Sequence, residues 1–296
     1  MGRAAVGGDV LPDSSSVTSC FVSSGATPAH TTVHADIVYA TVGGTQLALD
    51  LYVPTGVDHP PLIVWVHGGR WMLGDRSEVP IVFVEQGIAT ASVDFRQSDE
   101  ARFPAMVHDI KAAIRFLRAK ASAYGYTADR VAIGGTSSGA HLAALVGTTN
   151  GHMVLEGTVG DHRIQSSDVH AILSYYGASN LTTILAQSTP DGLDVRVPSL
   201  EALLGALPDQ AHELAQLASP VTHVNWSAPP LLLLHGDQDP QMPVDQSYEL
   251  EAAYKSRGLD VHFDVLHGAA HGGESDFFPE ERNARAIAFL RRTLVQ

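Results

Sequence analysis

The chain has 296 residues, 45% hydrophobic and 17% charged, enough apolar material for a large buried core and too much for a chain disordered throughout. Its 18 Lys+Arg against 32 Asp+Glu give a formal charge of −14, and no cationic cluster is longer than a pair, which excludes a phosphate-neutralising nucleic-acid surface. The acidic balance also favours neutral over anionic substrates, though only weakly at cellular salt. Cys20 is the single cysteine, so no internal disulfide is possible. No apolar run approaches the roughly 18 residues of a membrane span. A soluble, cytoplasmic protein is expected, with export left open.

Residues 1–31 are rich in Gly, Ser, Thr, Ala and Pro without periodicity and read as a flexible or irregular arm. Within it, "VTSC" at 17–20 has a likeness to a lipoprotein cleavage box, but the preceding "GGDVLPDSSS" is too polar and broken for the apolar region such a signal needs. From residue 32 to 296 one domain is expected. "ADIVYATV" and "TQLALDLYVP" flank "GG" as a hairpin. The short apolar runs "PLIVWVHG", "GIATASVDFR", "RVAIGGT", "VHAILSYYG", "PPLLLLHG" and "VHFDVLHG" read as buried parallel strands.

Helical patterns lie between them. Met106, Ile110, Ile114 and Leu117 recur at helical spacing over 104–123. "SGAHLAALVG", "PVDQSYELEAAYKSRG" and "PEERNARAIAFLRRTLV" follow, with Pro at helix starts and a Gly stop. This alternation predicts an α/β fold: a mostly parallel central sheet with helices on both faces. Residues 177–228 break the rhythm with Pro190, Pro198, Pro208 and Pro220 and the short helical stretches "SLEALLGAL" and "QAHELAQLA". They predict a small cap-like insertion over the carboxyl ends of the strands.

"GTSSG" at 135–139 joins a strand to a helix, the setting of a nucleophile elbow, where the flanking residues must be small. Centred on Ser137 the flanks are Gly135 and Gly139; centred on Ser138 they are Thr136 and Ala140. Ser137 is therefore the candidate nucleophile. The backbone N–H of Ser138 is placed to face a developing oxyanion. Gly68 and Gly69 of "HGGRW", after another strand, can add N–H groups because no Cβ blocks the approach. His67 reads as a hydrogen-bonder of that loop, and Trp71 as a pocket wall or a core aromatic. "HGDQDPQMP" places Asp237 and Asp239 after a late strand, with Asp239 favoured to orient a histidine and Asp237 as a turn former; either could instead cap the next helix. In "HGAAHGG", His271 is favoured as the base over His267. Two histidines without a third ligand do not make a metal site, and the chemistry needs no cofactor.

Taken together, "HGGRWMLGDRS", "RVAIGGTSSGAHLAAL", "HGDQDPQMPVDQS" and "GAAHGG" resemble the α/β-hydrolase superfamily over about residues 32–296. The likeness is greatest to the esterases typified by bifunctional feruloyl and acetyl-xylan esterases, near the hormone-sensitive-lipase-like enzymes. The resemblance implies a Ser137–Asp239–His271 triad, an oxyanion hole of Gly68, Gly69 and Ser138 N–H groups, and a serine-dependent carboxylesterase acting on neutral, short-acyl esters. Ser138 stands where the group has Ala, and Arg70 where Gly or an aromatic is usual, so a charged side chain borders the pocket. An arylformamidase-like amide hydrolase also resembles this chain, and a non-catalytic binding module of the same fold is the alternative from a different class.

Overall fold

The computed structural model describes residues 29–295; the expected arm, but for residues 29–31, and Cys20 lie outside the described residues. The hairpin forms as β1 (Thr31–Val42) and β2 (Thr45–Pro54), paired antiparallel across Gly43 and Gly44, both at positive φ. Next come β3 (Leu62–Val66), α1 (Ile81–Glu85), β4 (Ala89–Val93), α2 (Ala105–Tyr124), β5 (Val131–Thr136), α3 (Ser137–Thr148), α4 (Met153–Glu156) and β6 (Ala171–Tyr175). Four helices then intervene: α5 (Ile184–Gln187), α6 (Pro190–Leu204), α7 (His212–Leu217) and α8 (Pro220–His223). The chain closes with β7 (Leu231–Gly236), α9 (Asp245–Lys255), β8 (Val261–Leu266), α10 (Glu274–Phe277) and α11 (Glu280–Leu294).

The strands make one sheet in the order β1-β2-β4-β3-β5-β6-β7-β8, parallel from β4 through β8. Strand periodicity sorts the core into two layers. Leu62, Val64 and Val66 face the side covered by α2 and α3, while Ile63 and Trp65 face the side covered by α11. Winding runs from β3 to β4 in one direction and from β3 to β5 onward in the other. The crevice at this reversal lies between the carboxyl ends of β3 and β5, the position at which open α/β sheets bind ligands.

Two elements differ from their expectation. The pattern predicts a helix only over 199–207, yet α6 starts nine residues earlier. Pro190 occupies its first turn, and the Thr189 side chain caps it by accepting from Gly192 N–H. Pro198 removes one helical hydrogen bond from the interior, and burial of Leu200, Leu203 and Leu204 against the core offsets that loss. β8 reads as a buried strand but is half-exposed, because it is the sheet's last strand and has one neighbour. Its face toward α11 carries His262 and Asp264, with Arg285 paired to Asp264, and such charge at an edge discourages edge-to-edge pairing. Among the described residues no helix is long and apolar enough to cross a membrane.

Arg76 ties the loop after β3 to the sheet. Its guanidinium meets Asp36, Asp50 and Asp94, from β1, β2 and the end of β4, and its backbone N–H donates to Asp94 at 2.9 Å. Removing the cation leaves three carboxylates facing one another. Arg76→Met is expected to lower unfolding stability by about 3 kcal/mol, read as a reduced midpoint in urea with an unchanged slope.

Candidate active site

Each side chain of the site stands just past the carboxyl end of a strand. β5 turns directly into α3 at Ser137, whose φ of +51° lies in the left-handed region. This strain persists because the turn is packed without slack. A Cβ on Gly139 would lie 2.1 Å from the Val66 carbonyl oxygen, and one on Gly135 2.4 Å from the same atom. The two serines therefore have distinct surroundings. Ser137 Oγ is 3.0 Å from His271 Nε2. Ser138 is fully buried, and its Oγ has no partner.

His271 follows β8, and its Nδ1 lies 2.6 Å from Asp239 Oδ2. Asp239 follows β7; its other oxygen accepts the N–H groups of Gln241 and Met242, each at 2.8 Å. Burial alone would raise the Asp239 pKa. Hydrogen bonds from His235 and His271, the His271 charge and the Met242 amide outweigh burial and hold it well below the usual carboxylate range. An ionised Asp239 can only accept, so Nδ1 of His271 carries the proton and Nε2 presents its lone pair to the Ser137 hydroxyl.

His235, at the end of β7, supports this pair from below. It is fully buried, and its Nε2 faces two acceptors, the Met242 carbonyl at 2.9 Å and Asp239 Oδ2 at 3.3 Å. That nitrogen must therefore donate, leaving Nδ1 to accept from Ser247 Oγ at 2.7 Å. Asp237 and His267 form a separate pair at the surface, 2.8 Å apart, with the Gly268 N–H closing the turn on Asp237. They do not reach Ser137.

The loop after β3 abuts the elbow. A Cβ on Gly68 would lie 3.1 Å from Thr136 Oγ1, and Gly69 has φ +117° with the Leu73 carbonyl oxygen 2.0 Å from where its Cβ would be. The His67 ring donates through Nδ1 to the Gly68 carbonyl at 2.7 Å. In a planar trans peptide the N–H of Gly69 then points the opposite way. Neither Gly68 nor Gly69 N–H donates to a backbone carbonyl among the described residues.

A cleft of about 390 Å³ opens here, bordered by Gly68, Gly69, Arg70, Ser137, Tyr176 and His271. Arg70 is exposed at its wall. Trp71 does not border this cleft. Its ring is 1% exposed and its Nε1 donates to His141 Nδ1 at 3.0 Å, so of the two roles expected for it the structure assigns the core aromatic. The reason is local: His141 sits on α3, one turn after the elbow, and its Nε2 in turn donates to the Ala218 carbonyl at 2.7 Å. Burial, partly offset by that carbonyl, lowers the His141 pKa to about 4 and keeps the ring neutral.

Three residues near the site carry no motif of their own. Tyr176, past β6, sets its ring edge-on against His271 at 4.8 Å between centroids. Glu78 accepts a 2.6 Å hydrogen bond from Thr136 and borders the cleft. Arg196, on α6, lies 5.7 Å from the Trp71 ring centroid. Among the described residues no group of three His, Cys, Asp or Glu side chains is placed to hold a metal ion.

Comparison with known proteins places the chain. Residues 49–254 match the BD-FAE family model. Esterase LipQ of Mycobacterium tuberculosis is 31% identical over 248 residues, covering 80% of this chain and 56% of that protein. The chain spans about half the length of the curated relatives it matches. A truncated carbohydrate esterase from gut microbiota superposes with a TM-score of 0.81 at 26% identity, covering 90% of this chain and 98% of that one. A bifunctional GH43-CE protein of Bacteroides eggerthii gives 0.79 at 32% identity, covering 88% and 35%. With this family match, the crevice at the β3/β5 reversal and the strained Ser137 turn in view, the chain belongs to the BD-FAE family and has the α/β-hydrolase fold.

Proposed function

We propose that this chain is a serine-dependent carboxylic ester hydrolase working on short-acyl esters through an acyl-enzyme. The observation that carries the reading is the unbroken relay Ser137 Oγ–His271–Asp239 at 3.0 and 2.6 Å, opening on a cleft. In the proposed reaction Ser137 Oγ attacks the ester carbonyl as His271 Nε2 takes its proton. The oxyanion is met by the N–H groups of Gly68, Gly69 and Ser138, each donor contributing roughly 3 kcal/mol to the barrier reduction. His271 returns the proton to the leaving alkoxide, and Asp239 stabilises the imidazolium meanwhile. Water activated by the same ring then releases the acid and restores Ser137.

The esterase names of its relatives support the same reading. The cleft of about 390 Å³ in front of Ser137, bordered by none of residues 177–228, is the space the acyl group enters in this reading. The non-catalytic alternative has no feature in its favour here, since such modules lack a member of the relay. An amide hydrolase would use identical machinery, so substrates must separate the two.

Initial rates on p-nitrophenyl esters from acetyl to dodecanoyl are expected to be highest at acetyl or butyryl. Ser137→Ala should lower the rate on the order of 10⁴-fold or more. Activity that survives Ser137→Ala, or hydrolysis of N-formylkynurenine with no ester turnover, would overturn the assignment.

The neighbouring serine should behave in the opposite way. Its Oγ bonds nothing and only its N–H is used, so Ser138→Ala is expected to keep kcat within about threefold and leave stability equal or slightly higher, because a buried unpaired hydroxyl is removed. A loss approaching that of Ser137→Ala would show that the Ser138 hydroxyl takes part in the chemistry.

A further inference from the structure

Among the described residues the buried cations are paired with one conspicuous exception. Arg96 forks onto buried Asp109 with two bonds of 2.8 Å. Lys111 reaches the Thr149 carbonyl at 2.9 Å and Glu156 at 3.3 Å, and Arg115 pairs with Glu156 as well. Arg196 is 0% exposed, yet none of its Nε, Nη1 and Nη2 atoms has a hydrogen-bond partner. A guanidinium carries five N–H donors, and burying it unpaired is among the costliest arrangements a side chain can adopt.

The position of this fork is informative. It sits on α6, within the inserted helices, against the ring of Trp71, the residue that follows Arg70 on the loop after β3. Burial lowers the Arg196 pKa to about 10, with Asp239 pulling it up and Arg70 pushing it down, so the side chain stays charged at neutral pH. Of the two charges that act on it, Arg70 borders the cleft and Asp239 holds His271. Asp239 does not serve as its partner: the oxygens of that carboxylate are taken by Gln241, Met242 and His271. Arg70, at the cleft wall, is likewise in no ion pair or hydrogen bond among the described residues. Two cations that repel each other, one on the wall of the cleft and the other buried behind it against Trp71 with every donor idle, make a receptor for an oxyanion.

We propose that Arg196, together with Arg70, forms a carboxylate subsite, and that the substrates are esters bearing a free carboxylate near the scissile bond, such as hemiesters of short dicarboxylic acids. The proposal rests on the ester-hydrolase reading above and adds the substrate class to it. The fork makes no hydrogen bond, so turning its three-methylene stem toward an incoming carboxylate breaks none. The chain's charge of −14 opposes an anionic substrate only through long-range repulsion, screened beyond about 8 Å at physiological salt. A bidentate guanidinium–carboxylate contact in a desolvated pocket acts at full strength, and it dominates.

The test compares methanol release from monomethyl glutarate and from its neutral counterpart methyl valerate. It uses the wild type, Arg196→Met, Arg196→Lys and Arg70→Ala. In the wild type, kcat/KM for the charged ester is expected to exceed that for the neutral one by about tenfold or more, mostly through KM. Free glutarate should inhibit competitively. Arg196→Met should abolish both the preference and the inhibition, Arg196→Lys should keep part of each, and Arg70→Ala should weaken them. Equal wild-type kcat/KM values, with methyl valerate turned over, would overturn the subsite while leaving the ester-hydrolase reading intact. So would an Arg196→Met variant that slows both esters by the same factor, which would mean that the guanidinium acts only through Asp239. If Arg196→Met does not fold, the wild-type preference and the glutarate inhibition decide alone. No turnover of either ester or of p-nitrophenyl acetate is a different result: it removes the ester-hydrolase reading, and the subsite with it.

Discussion

The Val66 carbonyl oxygen at the end of β3 lies where a Cβ of Gly135 or of Gly139 would have to go, at 2.4 and 2.1 Å. This contact between the rim of one strand and the turn leaving the next determines what else the site can be. With both positions stripped to glycine, the β5–α3 turn presses onto the end of β3, and Ser137 takes a left-handed φ at the apex. The same closeness puts the backbone of Gly68 and Gly69 beside the serine, because β3 and β5 are hydrogen-bonded neighbours. Ser137 and the Gly68–Gly69 backbone are brought together by one packing requirement. Tyr176, Asp239 and His271 then follow from β6, β7 and β8, successive strands on the same side of the reversal.

Charge inside this crevice is handled in two contrasting ways. Asp239 is enclosed by donors on both oxygens, and its support extends through His235 to Ser247. In a low-dielectric setting such a network strengthens each of its bonds and fixes the imidazole tautomer without relying on water. Arg196 stands a short distance away with no acceptor at all. If the molecule were arranged for stability alone, a Leu or Met at 196 would fill the same space beside Trp71 without a stranded charge. The retained cation is better understood as half of an interaction whose other half arrives with a ligand.

How far the sequence revealed this depends on the range over which each signal acts. Strands and their post-strand loops were legible because apolar runs ending in glycine are local patterns, and the family resemblance ordered them. The residues so singled out, Ser137, Asp239 and His271, stand within hydrogen-bond distance of one another although 134 residues separate the first from the last. Ser137 could be told from Ser138 because the requirement for small flanks is local too. By contrast Glu78, Tyr176, His235 and Arg196 have no spacing that marks them. They meet the site only when the sheet order brings β6 and β7 beside β5 and α6 folds back over the loop after β3. Trp71 shows the same limit. An aromatic beside a glycine pair could wall a cleft or fill a core, and only the buried acceptor on His141 decided between them. The start of α6 was hidden by Pro198, which reads as a break until the buried leucines beyond it are counted.

Some of the unsatisfied polar atoms of the described residues, among them Trp65 Nε1, Arg115 Nε, Arg118 Nε and Tyr254 Oη, lie away from the cleft, and others lie close to it. His67 Nε2, Ser138 Oγ and the three nitrogens of Arg196 lie in the loop after β3, the β5–α3 turn or the segment packed on them. Native interiors satisfy nearly all such groups, so each exception calls for a cause. Three of them have identifiable settings: His67 is committed through its other nitrogen to the Gly68 carbonyl, Ser138 is fully buried in the turn after β5, and Arg196 is held beside Trp71. The strained turn at Ser137 is held by strands β3, β5 and β6, which are buried on both faces and supply the rigidity that keeps it from relaxing.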